Sequence, residues 1–260
     1  MKRMVIISDL HGGHEYGLCG PSWWRSGKGK VAKTGRFQRE LWRFYTAALD
    51  SLKPIYLLGV NGDAVEGKNE ESGGTELITS DRHDQARIAA EAIEYAEAEH
   101  IRLVYGTKRH VGREEDFEAT LVDLLKPKDI KIQSHAFFRI GGVSVDMKHK
   151  VASSSIPHGR LTAIARARLW NVIWHSEQER QPKADIIIRS HVHYFNYAGG
   201  ASWLALSTPA LTYNSIFGVR ECEGLVDVGL VVFDFDEQGG YTWRPIIADF
   251  KDLQVRPESL

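Results

Sequence analysis

Apolar residues in this chain switch between short unbroken runs and longer stretches spaced three and four apart, and the switching outlines its elements. Residues 4–7 form a β-type run that stops at Ser8-Asp9, the pattern of a buried strand delivering polar groups at its carboxyl end. Residues 12–35 are glycine-rich with little periodicity and read as a long loop. Leu41, Phe44, Tyr45, Ala48 and Leu49 then repeat at helical spacing, predicting a helix over 37–52 closed by Pro54. A second strand over 55–58 leads into Gly59-Val60-Asn61-Gly62-Asp63. An alanine- and glutamate-rich helix follows over 83–99, and a third strand over 101–105 enters a loop at Gly106-Thr107-Lys108-Arg109-His110. The pattern next predicts a helix over 115–125 closed by Pro127, then strands over 130–132, 136–140 and 143–147 with a Gly141-Gly142 hairpin turn. A basic amphipathic helix over 160–176 precedes a buried strand at 186–188, which ends in Arg189-Ser190-His191-Val192-His193. Strands near 202–206, 225–235 and 241–248 complete the chain. With no internal repeat, low-complexity tract or linker, residues 1–260 read as a single α/β domain.

Composition narrows this picture without redirecting it. An apolar fraction of 43% against 26% charged residues belongs to a globular protein and excludes a disordered chain. The formal net charge of −1 supplies no global field toward nucleic acid or an anionic membrane, so any basic patch is local. Cys19 and Cys222 fit neither a zinc knot nor a disulfide framework, which points to a reducing compartment. No stretch approaches the ~18–20 apolar residues of a membrane span. The run after Met1-Lys2-Arg3 is too short for a signal peptide. A cytoplasmic protein with no membrane partner is the expectation.

The eleven histidines change the picture more, because several stand with aspartates at the ends of apolar runs. Asp9 and His11 follow the first strand, Asp63 the second, His110 the third, His149 a later one, and His191 with His193 the last long run. In open α/β sheets ligand sites form beyond the carboxyl ends of strands. The i, i+2 pairs Asp9/His11 and His191/His193, read as extended backbone, project to one side and can grip one ion. Mixed carboxylate and imidazole donors suit Mn²⁺, Fe or Zn²⁺ better than Ca²⁺ or Mg²⁺. Each piece alone has an ordinary explanation as a turn, an exposed loop residue or a packed histidine. The ordered set does not. Asn61, Glu66 and His14 are polar neighbours left outside the ligand set.

Asp9-Leu10-His11, Gly62-Asp63, His149 and Ser190-His191-Val192-His193 resemble the ordered motifs of the calcineurin-like metallophosphoesterases, which read Asp-x-His, Gly-Asp, a lone His and Gly-His-x-His. The resemblance runs from about residue 4 to residue 195. It implies a four-layer α/β/β/α sandwich of two mixed sheets, and two divalent transition-metal ions, Mn²⁺ first with Fe or Zn²⁺ as alternatives. It further implies one metal on Asp9, His11 and His193, a second on His149 and His191, and Asp63 bridging the two. The implied reaction is in-line hydrolysis of a phosphoester by a metal-bridging hydroxide. One motif departs from the family. Where relatives have Gly-Asn-His, with Asn on the second metal and His assisting catalysis, this chain has Gly106-Thr107 and then His110, displaced by two residues. Thr107 thus stands at the ligand position as a poorer donor, and His110 is the expected general acid.

Substrate selection falls to basic groups. Lys108 and Arg109 adjoin His110. The Trp-containing loop over about 12–36 adds Lys28 and Lys30, followed by Lys33, close behind Trp23-Trp24. Cations bind phosphates and exposed aromatics stack on bases, so the expected substrate is a phosphodiester in a nucleotide or single-stranded nucleic acid. The rival readings are a scaffold of the same fold without catalysis, favoured by the altered third motif, and a nucleic-acid-binding protein with structural metals.

Overall fold

The computed structural model describes residues 1–24, 35–111, 117–125, 129–154, 156–178, 180–213 and 226–250. Among these residues eleven strands form two sheets, both mixed. The first has the order β11-β10-β1-β2-β3-β4, from β1 (Lys2–Ile7), β2 (Leu57–Asn61), β3 (His100–Val104), β4 (Asp129–Gln133), β10 (Gly229–Phe235) and β11 (Tyr241–Ile247). Strands β1 to β4 run parallel, and β10 returns antiparallel beside β1. The second has the order β5-β6-β7-β9-β8, from β5 (Ala136–Ile140), β6 (Val143–Lys150), β7 (Ile186–Ser190), β8 (Asn196–Gly200) and β9 (Trp203–Ser207), with β6, β7 and β9 parallel.

Alternation along the strands divides the core of the described residues into three apolar layers. Met4, Ile6, Val231, Phe233 and Phe235 point from the first sheet toward Val145, Met147, Ile186, Ile188 and Leu206 of the second. The opposite face of the first sheet, with Val5, Ile7, Leu58 and Val232, is covered by α1 (Arg36–Leu52), α2 (Arg82–Tyr95) and α4 (Thr120–Leu124). The opposite face of the second, with Ile187 and Ala205, is covered by α5 (Pro157–Gln178) through Ile164. Four layers, α/β/β/α, result. Helix α1 forms because Leu41, Tyr45, Ala48, Leu49 and Leu52 share one buried stripe; full burial of each large side chain contributes ~1.5–3 kcal/mol. Helix α2 starts where Asp81 accepts the backbone N–H groups of His83 and Asp84. Among the described residues no helix is long and apolar enough to cross a membrane.

Several boundaries differ from the sequence pattern, each for a local reason. The second strand begins two residues later than expected and continues through Gly59-Val60-Asn61, all buried. Helix α2 stops at Tyr95, and Glu97 turns the chain with a left-handed φ of 50°. The helix expected over 115–125 is a 3₁₀ turn at Phe117–Ala119 followed by α4. Strand β8 leaves no mark in the sequence pattern because it is an edge strand, half-exposed and ending in Gly199-Gly200, without apolar alternation. The loop expected at 106–110 closes with a helical turn, α3 (Lys108–Val111).

Candidate metal centre

The carboxyl ends of β1, β2 and β3 and those of β6 and β7 meet along one rim, and the chain leaves several of them through sharp corners. Asp9, His11, Asp63, His191 and His193 all have φ between 47° and 77°. These are five of the seven non-glycine residues with positive φ among those described, a conformation costing on the order of 1–3 kcal/mol each. The i, i+2 pairs are therefore not extended, as the spacing alone suggested. Each converges because two left-handed corners fold its loop back. Backbone bonds fix the corners: Asp9 N–H to Gly62 carbonyl at 3.0 Å, His11 N–H to Asp63 carbonyl at 3.0 Å, and Gly12 N–H to Ala64 carbonyl at 2.9 Å.

Asp9, His11 and His193 form one group, with ligand atoms all within 4.8 Å of one another. His11 Nδ1–H donates to Glu66 Oε2 at 2.7 Å, which leaves its Nε2 lone pair facing His193 Nε2 at 3.3 Å. Asp9 Oδ2 accepts the His191 backbone N–H at 3.3 Å. Asp9 Oδ1 is buried and accepts no hydrogen bond, though it lies 3.3 Å from His193 Nε2 and 3.9 Å from His149 Nε2. A buried carboxylate oxygen without a donor is costly unless a cation answers it.

Asp63, His149 and His191 form the second group. His149 does not follow a strand end, as the sequence suggested. It lies within β6, where the register against β7 shifts between Met147 and Lys150, and the irregularity turns its ring to the rim. His149 Nδ1–H donates to Asn61 carbonyl at 2.6 Å, and its Nε2 lies 2.9 Å from Asp63 Oδ2. The same oxygen is 3.9 Å from His191 Nδ1 and 3.8 Å from His110 Nε2. Gly62, at φ 83°, leaves no space for a Cβ, which would fall on the His149 ring.

Thr107 stands beside Asp63: its backbone N–H donates to Asp63 Oδ1 at 2.7 Å, and its Oγ1 is 3.3 Å from the same atom. One helical turn, α3, then brings His110 back to the rim where the sequence pattern suggested a loop. His110 Nδ1–H donates to Glu66 carbonyl at 2.6 Å, and its ring lies 4.6 Å from that of His11. Glu66 also groups with His11 and His110. Its Oε1 accepts Asn69 Nδ2–H at 2.8 Å. The sequence pattern leaves Glu66 outside the ligand set, its signal there being an acid three residues past Asp63. Lys108 and Arg109 occupy exposed positions of α3. Lys28 and Lys30 lie outside the described residues.

The charges interlock. Burial pushes Asp9 up, but His193 and His149 outweigh it and hold the carboxyl at about 2. Burial likewise opposes ionisation of Asp63, yet His110 and His149 hold it well below the carboxylate range. Glu66 is held at about 2, its burial outweighed by His11. Burial works against a charge on His149, but Asp63 raises it to about 10. Burial lowers His193 too, and Asp9 reverses the direction. His11, unlike His149 and His193, goes down, because burial there exceeds the pull of Glu66. Glu118, buried behind the rim, goes up to about 8 through burial and the charge of Asp63; its carboxyl accepts the N–H groups of Ala64 at 2.6 Å and Gly106 at 2.7 Å. Protons thus occupy positions where the donor set is suited to cations.

No protein-family model matches the chain, and no curated protein matches it. Solved structures resemble it in outline. An archaeal phosphodiesterase is 12% identical, with a TM-score of 0.47 over 94% of this chain and 99% of that one. Zinc-complexed Vps29 of Entamoeba histolytica is 12% identical, with a TM-score of 0.42 over 94% and 98%. A predicted phosphoesterase of Streptococcus pneumoniae is 11% identical, with a TM-score of 0.41 over 95% and 98%. Likeness at this level decides nothing about chemistry, which rests on the residues themselves.

Proposed function

We propose that this chain is a metal-dependent phosphoester hydrolase of the calcineurin-like metallophosphoesterase kind, a phosphodiesterase acting on a nucleotide or nucleic-acid substrate. The observation that carries the reading is the pair of adjoining donor groups, Asp9/His11/His193 and Asp63/His149/His191, with Asp9 Oδ1 buried between them and accepting no hydrogen bond. Imidazole nitrogens mixed with carboxylates fit divalent transition metals such as Mn²⁺, Fe or Zn²⁺. Asp9, His11, Asp63, His149, His191 and His193 would hold two such ions, whose chemistry would be activation of water and neutralisation of phosphate charge.

The chain's own residues supply the rest. Glu66 and the Asn61 carbonyl hold His11 and His149 in tautomers that direct Nε2 to the centre. His110 keeps its Nδ1 proton on the Glu66 carbonyl and gives a second proton, from Nε2, to the leaving-group oxygen as general acid. Thr107 orients Asp63 through its backbone N–H and stands at the position of a weak further donor. Lys108 and Arg109, on the same turn as His110, are suited to meet the substrate's remaining phosphate charge. His191 and His193 have side chains 33% and 26% exposed, so the centre opens to solvent on their side.

The test is hydrolysis of bis-p-nitrophenyl phosphate by metal-stripped protein reloaded with Mn²⁺, comparing the parent with His110→Ala. Turnover that falls ~10²–10⁴-fold in the variant at unchanged metal content supports the assignment. A parent inactive with every divalent metal would leave a scaffold or a nucleic-acid-binding protein as the reading.

A further inference from the structure

A cavity of about 340 Å³ opens on the outer face of the second sheet, between β6 and α5, and none of the metal-centre side chains lines it. It exists because α5 packs against β7, β8 and β9 and leaves the outer side of β6 only partly covered. On β6, His149 turns to Asp63, while its neighbours Lys148 and Lys150 line this cavity. From α5, Arg166, Trp170 and Trp174 line the other wall, one helical turn apart along a single stripe.

Two features mark the cavity as built for a ligand. The first is charge. Among the described residues, the side chains of Lys148, Lys150 and Arg166 form no ion pair, and all three residues are exposed. The acid beneath them, Asp146, is already taken by Arg189 at 2.6 Å, His135 at 2.8 Å and Asn171 at 3.1 Å. The other arginines of the helix are committed elsewhere. Arg168 donates to the Ala184 carbonyl, and Arg160 lies over the Tyr194 ring. The second is the aromatic wall. Trp170 is 51% exposed and Trp174 45%, with ring centroids 6.5 Å apart. Two indoles at the water boundary beside unpaired cations match a ligand with a flat ring at one end and an anion at the other. The volume falls at the lower end of small-molecule sites, ~300–1,000 Å³.

We propose that this cleft is a second binding site, taking a free nucleotide with its base against Trp170 and Trp174 and its phosphate on Lys148, Lys150 and Arg166. The site stands independently of the hydrolase reading, because none of these side chains belongs to the metal centre. Isothermal titration in EDTA, which silences the metal centre, tests it with the 5′-monophosphates of adenosine, guanosine, cytidine and uridine in turn. Inorganic phosphate and the free nucleosides serve as controls. At least one monophosphate is expected to saturate a single site and to bind more tightly than its nucleoside or phosphate alone. Trp170→Ala should weaken that binding roughly 5- to 150-fold, the range of a lost base–aromatic stack, and Arg166→Ala should weaken it as well. Both residues are exposed, and thermal melts check that the variants fold. His191→Ala, which alters only the metal centre, should leave the affinity unchanged. Failure of all four monophosphates to bind overturns the proposal. So does binding that survives both cleft substitutions, or binding lost with His191→Ala, which would move the nucleotide to the metal centre.

Discussion

Replacing Glu66 by Gln keeps the shape of a buried side chain and removes its charge. The carboxylate serves two donors, His11 Nδ1–H at 2.7 Å through Oε2 and Asn69 Nδ2–H at 2.8 Å through Oε1. A carboxamide offers one acceptor oxygen and one NH₂, so in either orientation one contact sets donor against donor. If the NH₂ faces His11, the ring must present Nδ1 as an acceptor. Its proton then sits on Nε2, the nitrogen that faces His193 at 3.3 Å and would otherwise hold a cation. A hydrogen bond to a charged group is worth ~1.5–3 kcal/mol, or roughly one to two powers of ten in an equilibrium constant. Loss of such an outer partner of a metal-binding histidine costs ~10–100-fold in affinity. Glu66→Gln is therefore expected to weaken Mn²⁺ binding by ~10–100-fold, read by competition with a chelating dye on metal-stripped protein. Circular dichroism should report an unchanged fold. Parent-like affinity in a folded variant would refute the argument that Glu66 sets the His11 tautomer.

The remaining outcomes concern His149, Gly62 and Asp146. His149 donates Nδ1–H to Asn61 and is raised to about 10 by Asp63 despite its burial, so it carries a second proton at pH 7 that a metal must displace. Titrations in buffers of different ionisation enthalpy should show proton release on metal binding, and none would contradict the assignment of His149 as a ligand. Because its folded pKa is raised, the His149–Asp63 pair stabilises the metal-free protein fully below about 6.5, and this is lost as pH climbs toward about 10. Gly62→Ala puts a Cβ onto the His149 ring at a φ of 83° and should cost ~1–3 kcal/mol in urea unfolding together with metal affinity; parent-like values for both would show that the ring can move aside. Asp146→Asn strips the buried Arg189 of its counter-charge and should cost ~3–5 kcal/mol, measured by urea unfolding. Burial raises the Asp146 pKa, but His135 and Arg189 outweigh it. The stability from this carboxylate is therefore present above about 3.8 and lost as pH falls below it, which an acid titration of the parent would show.

Much of the architecture was legible in the sequence because apolar period depends on local geometry. Strands β1, β3 and β7 and helices α1 and α5 could be read from it, as could the order in which Asp9, Asp63, His149 and His191 arrive. What the sequence could not express is backbone direction after a strand ends. The left-handed corners at Asp9, His11, Asp63, His191 and His193 carry no glycine to announce them, since the surrounding hydrogen bonds, and not residue type, hold those angles. The path that carries His110 to the rim was likewise not legible, because the single turn of α3 that bends it there is too short to show a helical period. Glu66 and His11 are distant along the chain and adjacent only because the loops after β1 and β2 run side by side, paired at Gly12 and Val65. The sequence by itself determined which donors this protein has and the strands that carry them. The tertiary structure decided which nitrogen of each histidine faces the centre, because that depends on partners such as Glu66 and the Asn61 carbonyl that only folding brings within hydrogen-bonding reach.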